Sequence, residues 1–371
     1  MSNENPQPLL RVRDLRTYFY TREGVVKAVD GLNYRIDHGQ TFAVVGESGC
    51  GKSVSAFSIM GLIPQPPGRI VSGSIELEGN NLLKLREKQM RRVRGGAAAM
   101  IFQEPMSSLN PVYTCGSQIV EAIRLHRGLD GYDARNLAVD MLAQVGIPDP
   151  AQRFTEYPHQ MSGGMRQRVM IAMALSCDPK LLIADEPTTA LDVTIQAQIL
   201  DLMRDLQAHR GLSIQLITHD LAVVAEVAHV VCVMYASKMV ELTDVNSLFS
   251  KPLHPYTQGL FRSLPQLGAR NERLAIIPGS VPNPLAFPSG CKFHPRCVVT
   301  REHAKQADAA QTVQIADGDV VLKRCAEQEP GLREVADKHW CACWECPNYE
   351  SAPQTDPGEQ SLSAQPAGEE R

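Results

Sequence analysis

The sequence predicts a mixed α/β fold built on a parallel sheet. Short apolar runs rich in β-branched residues recur along the chain and are typical of buried strands. A helical pattern at 195–206 separates two of these runs and ends before Gly211. Buried strands that alternate with helices in this way are typical of a parallel sheet packed against helices. The runs are 41–45, 181–184, 214–217 and 230–235.

Length and composition narrow the class of protein. The chain has 371 residues, which favours two or three domains, and 43% of them are hydrophobic. This composition excludes a mostly disordered, collagen-like or coiled-coil chain. The 37 basic and 41 acidic residues give a formal net charge of -4. No global basic field therefore attracts nucleic acid or an anionic membrane surface.

No stretch of the sequence is apolar enough to predict a membrane-spanning helix. The best candidate, 212–235, is interrupted by polar and charged residues. The N terminus lacks an apolar signal region, so we expect a cytoplasmic protein. In that reducing compartment the ten cysteines indicate metal or redox chemistry rather than disulfides, and six of them follow residue 290. The interrupting residues are His219, Asp220, Glu226 and His229.

Three stretches depart from the alternation of strands and helices. Residues from about 106 to 177 show helical patterns without a strand pattern, which indicates a helical insertion. Frequent prolines begin near 251 and predict a separate, small, irregular and cysteine-rich C-terminal module over 251–347. The last segment, 348–371, has almost nothing to bury, so we expect it to be disordered.

A glycine-rich motif follows the first apolar run. It fits the pattern G-x-x-x-x-G-K-S between a strand and a helix, where backbone N–H groups wrap nucleotide phosphates. In such a loop Lys52 reaches the β- and γ-phosphates of ATP. Ser53 coordinates Mg²⁺, and Asp185 holds the ion from the opposite side. The motif consists of Gly46, Glu47, Ser48, Gly49, Cys50, Gly51, Lys52 and Ser53.

A second phosphate cradle is predicted where Ser162 precedes a long apolar helix. Ser162 is a helix cap, while Gly163 and Gly164 leave the N–H groups of the helix start open to an anion. The first loop already covers one triphosphate, so the second cradle is best used on the γ-phosphate of another subunit's nucleotide. The sequence therefore predicts a sandwich dimer.

The order of these motifs resembles the ATP-binding subunits of ABC transporters, over residues 9–250. The resemblance implies that Gln103 contacts Mg²⁺ or water, that Asp192 is the D-loop aspartate and that His219 is the switch histidine. Glu186 directly follows the Mg²⁺ aspartate, so we expect it to polarise the attacking water as the catalytic base. We expect His219 to stabilise charge that develops on the γ-phosphate.

Three adjacent aromatic residues end the first apolar segment. Phe19, by its spacing from Leu15, is predicted to stack on adenine, as in the A-loop of the family. Packing of a strand on both faces is the alternative interpretation. The basic run at 86–94 is interpreted as a solvated helix face rather than a nucleic-acid site.

Further motifs resemble the ATPases of dipeptide and oligopeptide importers, and the pattern at 165–173 resembles the first of that system's two paralogous ATPases. The chain has one cassette and no predicted span, so we expect a separate subunit that docks on membrane proteins. Alternatives are import of another solute, such as nickel or a glycoside, and a soluble ABC protein that acts on nucleic acid or ribosomes. The motifs are 104–111, 162–173, 188–196 and 254–258.

The resemblance implies partners and a location. Two membrane permease subunits would insert coupling helices into a groove at 104–111. A paralogous ATPase would complete a heterodimer, and an extracytoplasmic peptide-binding protein would act indirectly. No nucleic-acid partner is expected. The chain would lie peripherally on the cytoplasmic face of the inner membrane.

The cysteines of the C-terminal module resemble the four-cysteine segment that closes peptide-importer ATPases. The resemblance implies a 4Fe-4S cluster, although four thiolates also suit zinc, and buried free thiols are a third interpretation. Cys341 and Cys346 are additional candidates for the fourth position. The implied ligands are Cys291, Cys297, Cys325 and Cys343.

Overall fold

The structure, a computed structural model, describes residues 7–103, 108–188, 193–263, 276–316 and 318–362, without the side chain of Val193. Asp192 and part of the predicted coupling groove, 104–107, lie outside the described residues. Among the described residues, no helix combines the length and the apolar character needed to cross a membrane.

The strands of the described residues are numbered in chain order. They are β1 Leu10–Thr21, β2 Gly24–Ile36, β3 Thr41–Val45, β4 Gly68–Leu77, β5 Asn80–Asn81, β6 Ala98–Ile101, β7 Leu181–Asp185, β8 Ser213–Ile217, β9 Val230–Tyr235, β10 Lys238–Asp244, β11 Thr312–Gln314, β12 Val320–Leu322, β13 Arg333–Ala336 and β14 His339–Cys341.

The helices are numbered in the same way. They are α1 Lys52–Ile59, α2 Glu87–Val93, α3 Cys115–Arg127, α4 Gly131–Gln144, α5 Pro150–Arg153, α6 Gly163–Leu175, α7 Val193–Arg210, α8 Leu221–Val227, α9 Val245–Ser250, α10 Pro255–Arg262, α11 Val298–Ala304 and α12 Lys323–Glu327.

The predicted parallel sheet forms the centre of the fold. Eight strands lie in the order β13-β14-β10-β9-β3-β8-β7-β6. From β9 to β6 all neighbouring pairs are parallel. Strands β3, β7, β8 and β9 are buried along their whole length, because they consist almost entirely of apolar residues. Their carboxyl ends share one edge, where ligands of open α/β sheets bind.

A second, antiparallel sheet lies beside the first, in the order β2-β1-β4-β5. Leu10, Leu15 and Ile75 are fully buried in it and join the core that also contains Ile59 of α1. The hydroxyl groups of Thr17 and Ser58 lie 2.8 Å apart, so a buried hydrogen bond also connects β1 to α1.

The described part of the predicted helical insertion carries α3 to α6. The apolar faces of α3, α4 and α6 form one core with Val169, Ile119 and Met141 in its interior. Thr114 and Ser162 cap α3 and α6, because each side-chain oxygen accepts an N–H group from the first turn.

The C-terminal module differs from the predicted separate, irregular unit. It is rich in loops, but β14 pairs with β10 and β13 pairs with β14, so the module extends the main sheet. The reason lies in three consecutive buried residues, His339, Trp340 and Cys341, which form the strand against β10. A strand of three residues is too short to show a periodicity in the sequence.

A buried carboxylate fixes the start of this module. Glu241 on β10 accepts the N–H groups of Leu253 and His254 at 2.7 and 3.0 Å and approaches His339 Nε2 at 2.7 Å. Burial by itself raises the pKa of Glu241, but these hydrogen bonds outweigh it and leave the pKa below its usual value. The charged carboxylate therefore ties the linker and β14 to the same strand.

The prediction of disorder from residue 348 is wrong for residues 348–362. Tyr349 and Leu362 are buried, and the Tyr349 hydroxyl donates to the Gly331 carbonyl at 2.6 Å. Arg13 donates to Glu359 at 2.6 Å, which holds the segment against β1. Buried side chains, this ion pair and further hydrogen bonds, such as that of Thr355 to Glu334 at 2.7 Å, hold a segment that is otherwise polar.

Candidate nucleotide-binding site

The glycine-rich motif forms a tight turn between β3 and α1. A Cβ atom on Gly46 would lie 2.2 Å from the Met234 carbonyl oxygen, and one on Gly51 would lie 2.1 Å from that of Ala28. Gly51 also has a φ of 104°, which other residues rarely adopt. Glycine is therefore required at both positions, and the N-terminal end of α1 is left facing the loop, where phosphate binds.

Two side chains prepare the loop for a phosphate and a cation. Lys52 is buried and donates from Nζ to the carbonyl oxygens of Gly46 and Glu47, at 2.7 and 3.0 Å. Its ammonium therefore lies inside the curve of the loop. Ser53 Oγ donates to Asp185 Oδ1 at 3.0 Å, so the two predicted Mg²⁺ ligands are in contact.

Asp185 is the buried acid at the end of β7. Burial raises its pKa, and the neighbouring Glu186 adds to the increase, while Ser53 and Lys52 oppose it. A cation at this position would relieve the cost of burying the charge. Hydroxyl and carboxylate oxygens are also ligands that Mg²⁺ prefers, so the residues present fit the predicted ion.

Glu186 lies between two other predicted catalytic residues. Its side chain is only 12% exposed. Gln103 Nε2 donates to Oε2 at 2.9 Å, and His219 Nδ1 lies 3.4 Å from Oε1. Glu186 has a φ of 49°, an uncommon backbone conformation for a residue with a side chain. Its N–H donates to the Ile217 carbonyl at 2.8 Å, so β8 holds the strained residue in place.

The C-terminal module contacts the phosphate loop through Glu47. Arg296 makes a two-pronged salt bridge with the Glu47 carboxylate, at 2.6 and 3.0 Å. The Tyr256 hydroxyl accepts the Glu47 N–H at 2.8 Å. Arg296 and Tyr256 are both buried. Sequence reasoning placed Glu47 in the phosphate loop but missed this contact of its side chain with arginine.

Phe19 remains the candidate for stacking on adenine. The Tyr18 hydroxyl donates to Asp30 at 2.7 Å, while Tyr20 is 51% exposed. Phe19 is partly buried and lies over Gly68, where a Cβ atom would lie 2.9 Å from its ring. Stacking of Phe19 on adenine stays a prediction.

The second phosphate cradle lies at the start of α6, in the helical region. Ser162 Oγ accepts the Met165 N–H at 3.3 Å. A Cβ atom on Gly163 would meet no described atom within 4 Å, and one on Gly164 would lie 3.3 Å from the Ile195 side chain. The predicted role of these residues toward another subunit's nucleotide stays a prediction. Asp192, the predicted D-loop residue, lies outside the described part of the chain.

The four cysteines implied as metal ligands line one small cavity in the C-terminal module. Burial raises the pKa of the Cys325 thiol to about 11 and that of Cys297 to about 12. Of the three candidates Cys341, Cys343 and Cys346, Cys343 lines the cavity. Cys346 Sγ lies 3.7 Å from the Leu253 carbonyl oxygen. All ten cysteines of the chain are free. The described side chains of His, Cys, Asp and Glu form no group of three or more suited to a single metal ion.

Two family models match the chain. Residues 29–189 match the model described as "ABC transporter", and residues 240–303 match "Oligopeptide/dipeptide transporter, C-terminal region". The second match begins on β10 and includes Tyr256 and Arg296, the residues that contact Glu47.

Close relatives are found among characterised sequences. The dipeptide transport ATP-binding protein DppD of Escherichia coli (strain K12) is 51% identical, over 90% of this chain and 96% of its own. The oligopeptide transport ATP-binding protein AppD of Bacillus subtilis (strain 168) is 53% identical, over 78% of this chain and 88% of its own.

Solved structures of ATP-binding cassettes share the fold. The dimeric cassette MJ0796 bound to ADP and Pi superposes with a TM-score of 0.58 at 24% identity, over 64% of this chain and 98% of its own. The cbiO1 subunit from Clostridium perfringens, part of the complex cbiONQ, gives a TM-score of 0.57 at 26% identity, over 66% and 92%.

Proposed function

Because this chain belongs to the ATP-binding subunits of peptide ABC transporters, we propose that it hydrolyses ATP to drive import of short peptides through separate membrane subunits. The observation that carries the proposal is the set of side chains at one edge of the main sheet. Three neighbouring parallel strands end there, and at or after their ends lie Lys52, Asp185, Glu186 and His219. The C-terminal match to a peptide-transporter region supports the substrate class.

The geometry around Glu186 supports a mechanism of hydrolysis. A water beside its carboxylate loses a proton to Glu186 and attacks the γ-phosphorus as the bond to ADP breaks. Gln103 fixes one carboxylate oxygen, and His219 lies beside the other. The His219 ring is 64% exposed, so it is open to the substrate side and can donate to the γ-phosphate.

Lys52 and Mg²⁺ share the task of binding the phosphates. The Lys52 ammonium, held by two loop carbonyls, is positioned to exchange them for the β- and γ-phosphate oxygens. Ser53 and Asp185 would hold Mg²⁺, and Gln103 lies close enough to Glu186 to contribute from the same edge. When bound, the ion neutralises charge on the phosphates.

Exposed apolar residues that flank the predicted coupling groove in sequence support docking on membrane subunits. Val112 and Tyr113 are 70% and 58% exposed, and Phe102 is 37% exposed. Exposed apolar side chains that cluster in sequence around a catalytic loop favour a protein interface. We place the two permease subunits on this surface, at the cytoplasmic face of the membrane. A paralogous ATPase would supply the second cradle for this chain's nucleotide.

Affinity purification tests these assignments. We expect a tagged chain, extracted from membranes with detergent, to bring down two polytopic proteins, a second ATPase and a peptide-binding protein, identified by mass spectrometry. The variant Tyr113→Asp should recover less of the permeases, because it places a charge in the proposed interface, whereas Tyr132→Asp, also exposed at 76%, should not. Recovery of ribosomal proteins instead would contradict the proposal.

We propose in addition that the cysteine cavity holds an iron–sulfur cluster. Four thiols line it, three of them buried and that of Cys291 partly buried, and thiolates are the usual ligands of such clusters. Four thiolates also suit zinc. The choice of an iron–sulfur cluster therefore rests on the resemblance of this segment to the four-cysteine segment that closes peptide-importer ATPases.

Iron content tests this cluster. We expect anaerobically purified protein to be brown, with about four irons per chain. Cys297→Ser should lose most of the iron, whereas Cys177→Ser, a buried thiol in the helical region, should keep it. Colourless protein with about one zinc would contradict the proposal, as would iron that survives Cys297→Ser unchanged.

A further inference from the structure

A cavity of about 540 Å³ separates the ATPase core from the C-terminal module. Its walls come from β2, from β9 and β10, from the segment after Cys291, and from loops near Glu329 and Asp356. Small-molecule sites have volumes of about 300–1,000 Å³ and often lie where two structural units meet. This cavity is distinct from the phosphate loop, which does not line it.

One cation in the cavity wall has no ion-pair partner among the described residues. Lys238 pairs with Glu329 at 3.4 Å and with Asp30 at 3.6 Å. Lys292, by contrast, donates only to the Ala236 carbonyl, at 2.9 Å, and its ammonium lies 4.2 Å from the centre of the Phe287 ring. Lys292 lines the cavity, and no described carboxylate pairs with its ammonium within 4 Å, while Glu329 and Asp30 act on it from a greater distance.

One anionic side chain in the wall also lacks an ion-pair partner among the described residues. The Asp356 carboxylate accepts the N–H of Gly358 at 2.8 Å and forms no ion pair within the described part of the chain. Asn33 and Gln354 add amide groups to the lining. The cavity thus offers one cation, one anion and amides that can donate and accept.

We propose that this cavity binds a short peptide in its zwitterionic form, with its carboxylate on Lys292 and its ammonium on Asp356. Charge complementarity carries the proposal, because a ligand with only one charge would leave the other residue unpaired. The amides of Asn33 and Gln354 match the peptide bonds between the two ends. The choice of a peptide among zwitterions rests on the proposed function, since imported peptide is released on this chain's side of the membrane.

The cavity adjoins residues that contact the nucleotide site. Lys292 and Phe293 line the cavity, and the same short segment carries Arg296, which binds Glu47 of the phosphate loop. A peptide in the cavity therefore contacts the segment that holds the loop.

Titration calorimetry on the full chain, purified anaerobically, tests the site with trialanine. We expect saturable binding of one peptide per chain. Trialanine that is acetylated at its N terminus and amidated at its C terminus should bind at least tenfold more weakly, because it has lost both charges. This comparison needs no variant and is independent of folding defects.

Variants locate the site. Lys292→Met and Asp356→Asn should each weaken binding of trialanine about tenfold or more, whereas Lys305→Met, an exposed lysine of the same module, should bind like the wild type. Absence of binding to the wild-type chain, equal binding of the blocked peptide, or unchanged binding by Lys292→Met would overturn the proposal. Peptide import by the assembled transporter is measured separately, so the cavity and the proposed function can fail independently.

Discussion

Replacing Glu186 with glutamine should abolish most ATP hydrolysis and leave ATP binding nearly intact. The amide cannot accept the proton of the attacking water, so we expect turnover to fall by about 100-fold or more. Binding should persist because Lys52, Ser53 and Asp185 are unchanged. The amide oxygen of the variant can still accept the Gln103 hydrogen bond that the carboxylate accepts at 2.9 Å. Release of phosphate and binding of a fluorescent ATP analogue measure the two effects separately.

The matched control for this variant is Glu121→Gln. Glu121 is an exposed acid on α3, away from the sheet edge that carries Glu186. The variant Glu121→Gln should hydrolyse ATP at the wild-type rate. Hydrolysis by Glu186→Gln within a fewfold of the wild type would show that another group accepts the proton.

Replacing Arg296 with methionine should weaken ATP binding about tenfold while turnover at saturating ATP changes much less. The guanidinium donates two charged hydrogen bonds to Glu47, at 2.6 and 3.0 Å. A hydrogen bond to a charged group contributes about 1.5–3 kcal/mol, and about 1.4 kcal/mol corresponds to a tenfold change in affinity. Loss of the contact frees the phosphate loop to move but leaves Glu186 and Gln103 in place. Measuring the KM for ATP together with kcat separates the effect on ATP binding from the effect on turnover.

Further variants distinguish a specific contact from general damage to the fold. Arg296→Lys should behave like the methionine variant, because an ammonium cannot reproduce the two parallel bonds. Arg153→Met is the control: Arg153 donates to both carboxylate oxygens of Glu156, at 2.7 and 2.9 Å, in the helical region. If Arg296→Met left the KM for ATP unchanged while the melting temperature was also unchanged, the contact would have no role in nucleotide binding.

The arrangement of the candidate nucleotide site could be predicted from sequence because its signals are local. The phosphate loop lies within eight consecutive residues, and Asp185 and Glu186 directly end a buried strand. Parallel strands then bring such ends together without further information. The contacts of Glu186 with Gln103 and His219 follow from that arrangement, although their distances do not.

The contact between Glu47 and Arg296 could not be predicted in the same way. The two residues are 249 positions apart, and nothing in their local patterns connects them. In the sequence, the histidine–proline–tyrosine segment at 254–256 shows only a family resemblance, yet its tyrosine hydroxyl accepts the Glu47 N–H. Contacts across such separations depend on the tertiary fold.

The C-terminal region shows how weak local signals mislead. Strands β13 and β14 have four and three residues, too few for a visible alternation. The polar composition after residue 347 suggested disorder, but Tyr349 and Leu362 anchor the segment by burial. A few buried side chains, together with hydrogen bonds to the rest of the chain, can outweigh the average composition of a segment.

Uptake of a labelled dipeptide by proteoliposomes tests the central claim most directly. The transporter that co-purifies with this chain would be reconstituted with its ATPase face outward and with the peptide-binding protein inside. We expect ATP with Mg²⁺ to drive export of the dipeptide from the lumen to the ATPase side, and Glu186→Gln to reduce that transport to near background. Transport that continues at the wild-type rate with Glu186→Gln, or hydrolysis that moves no peptide, would contradict the account.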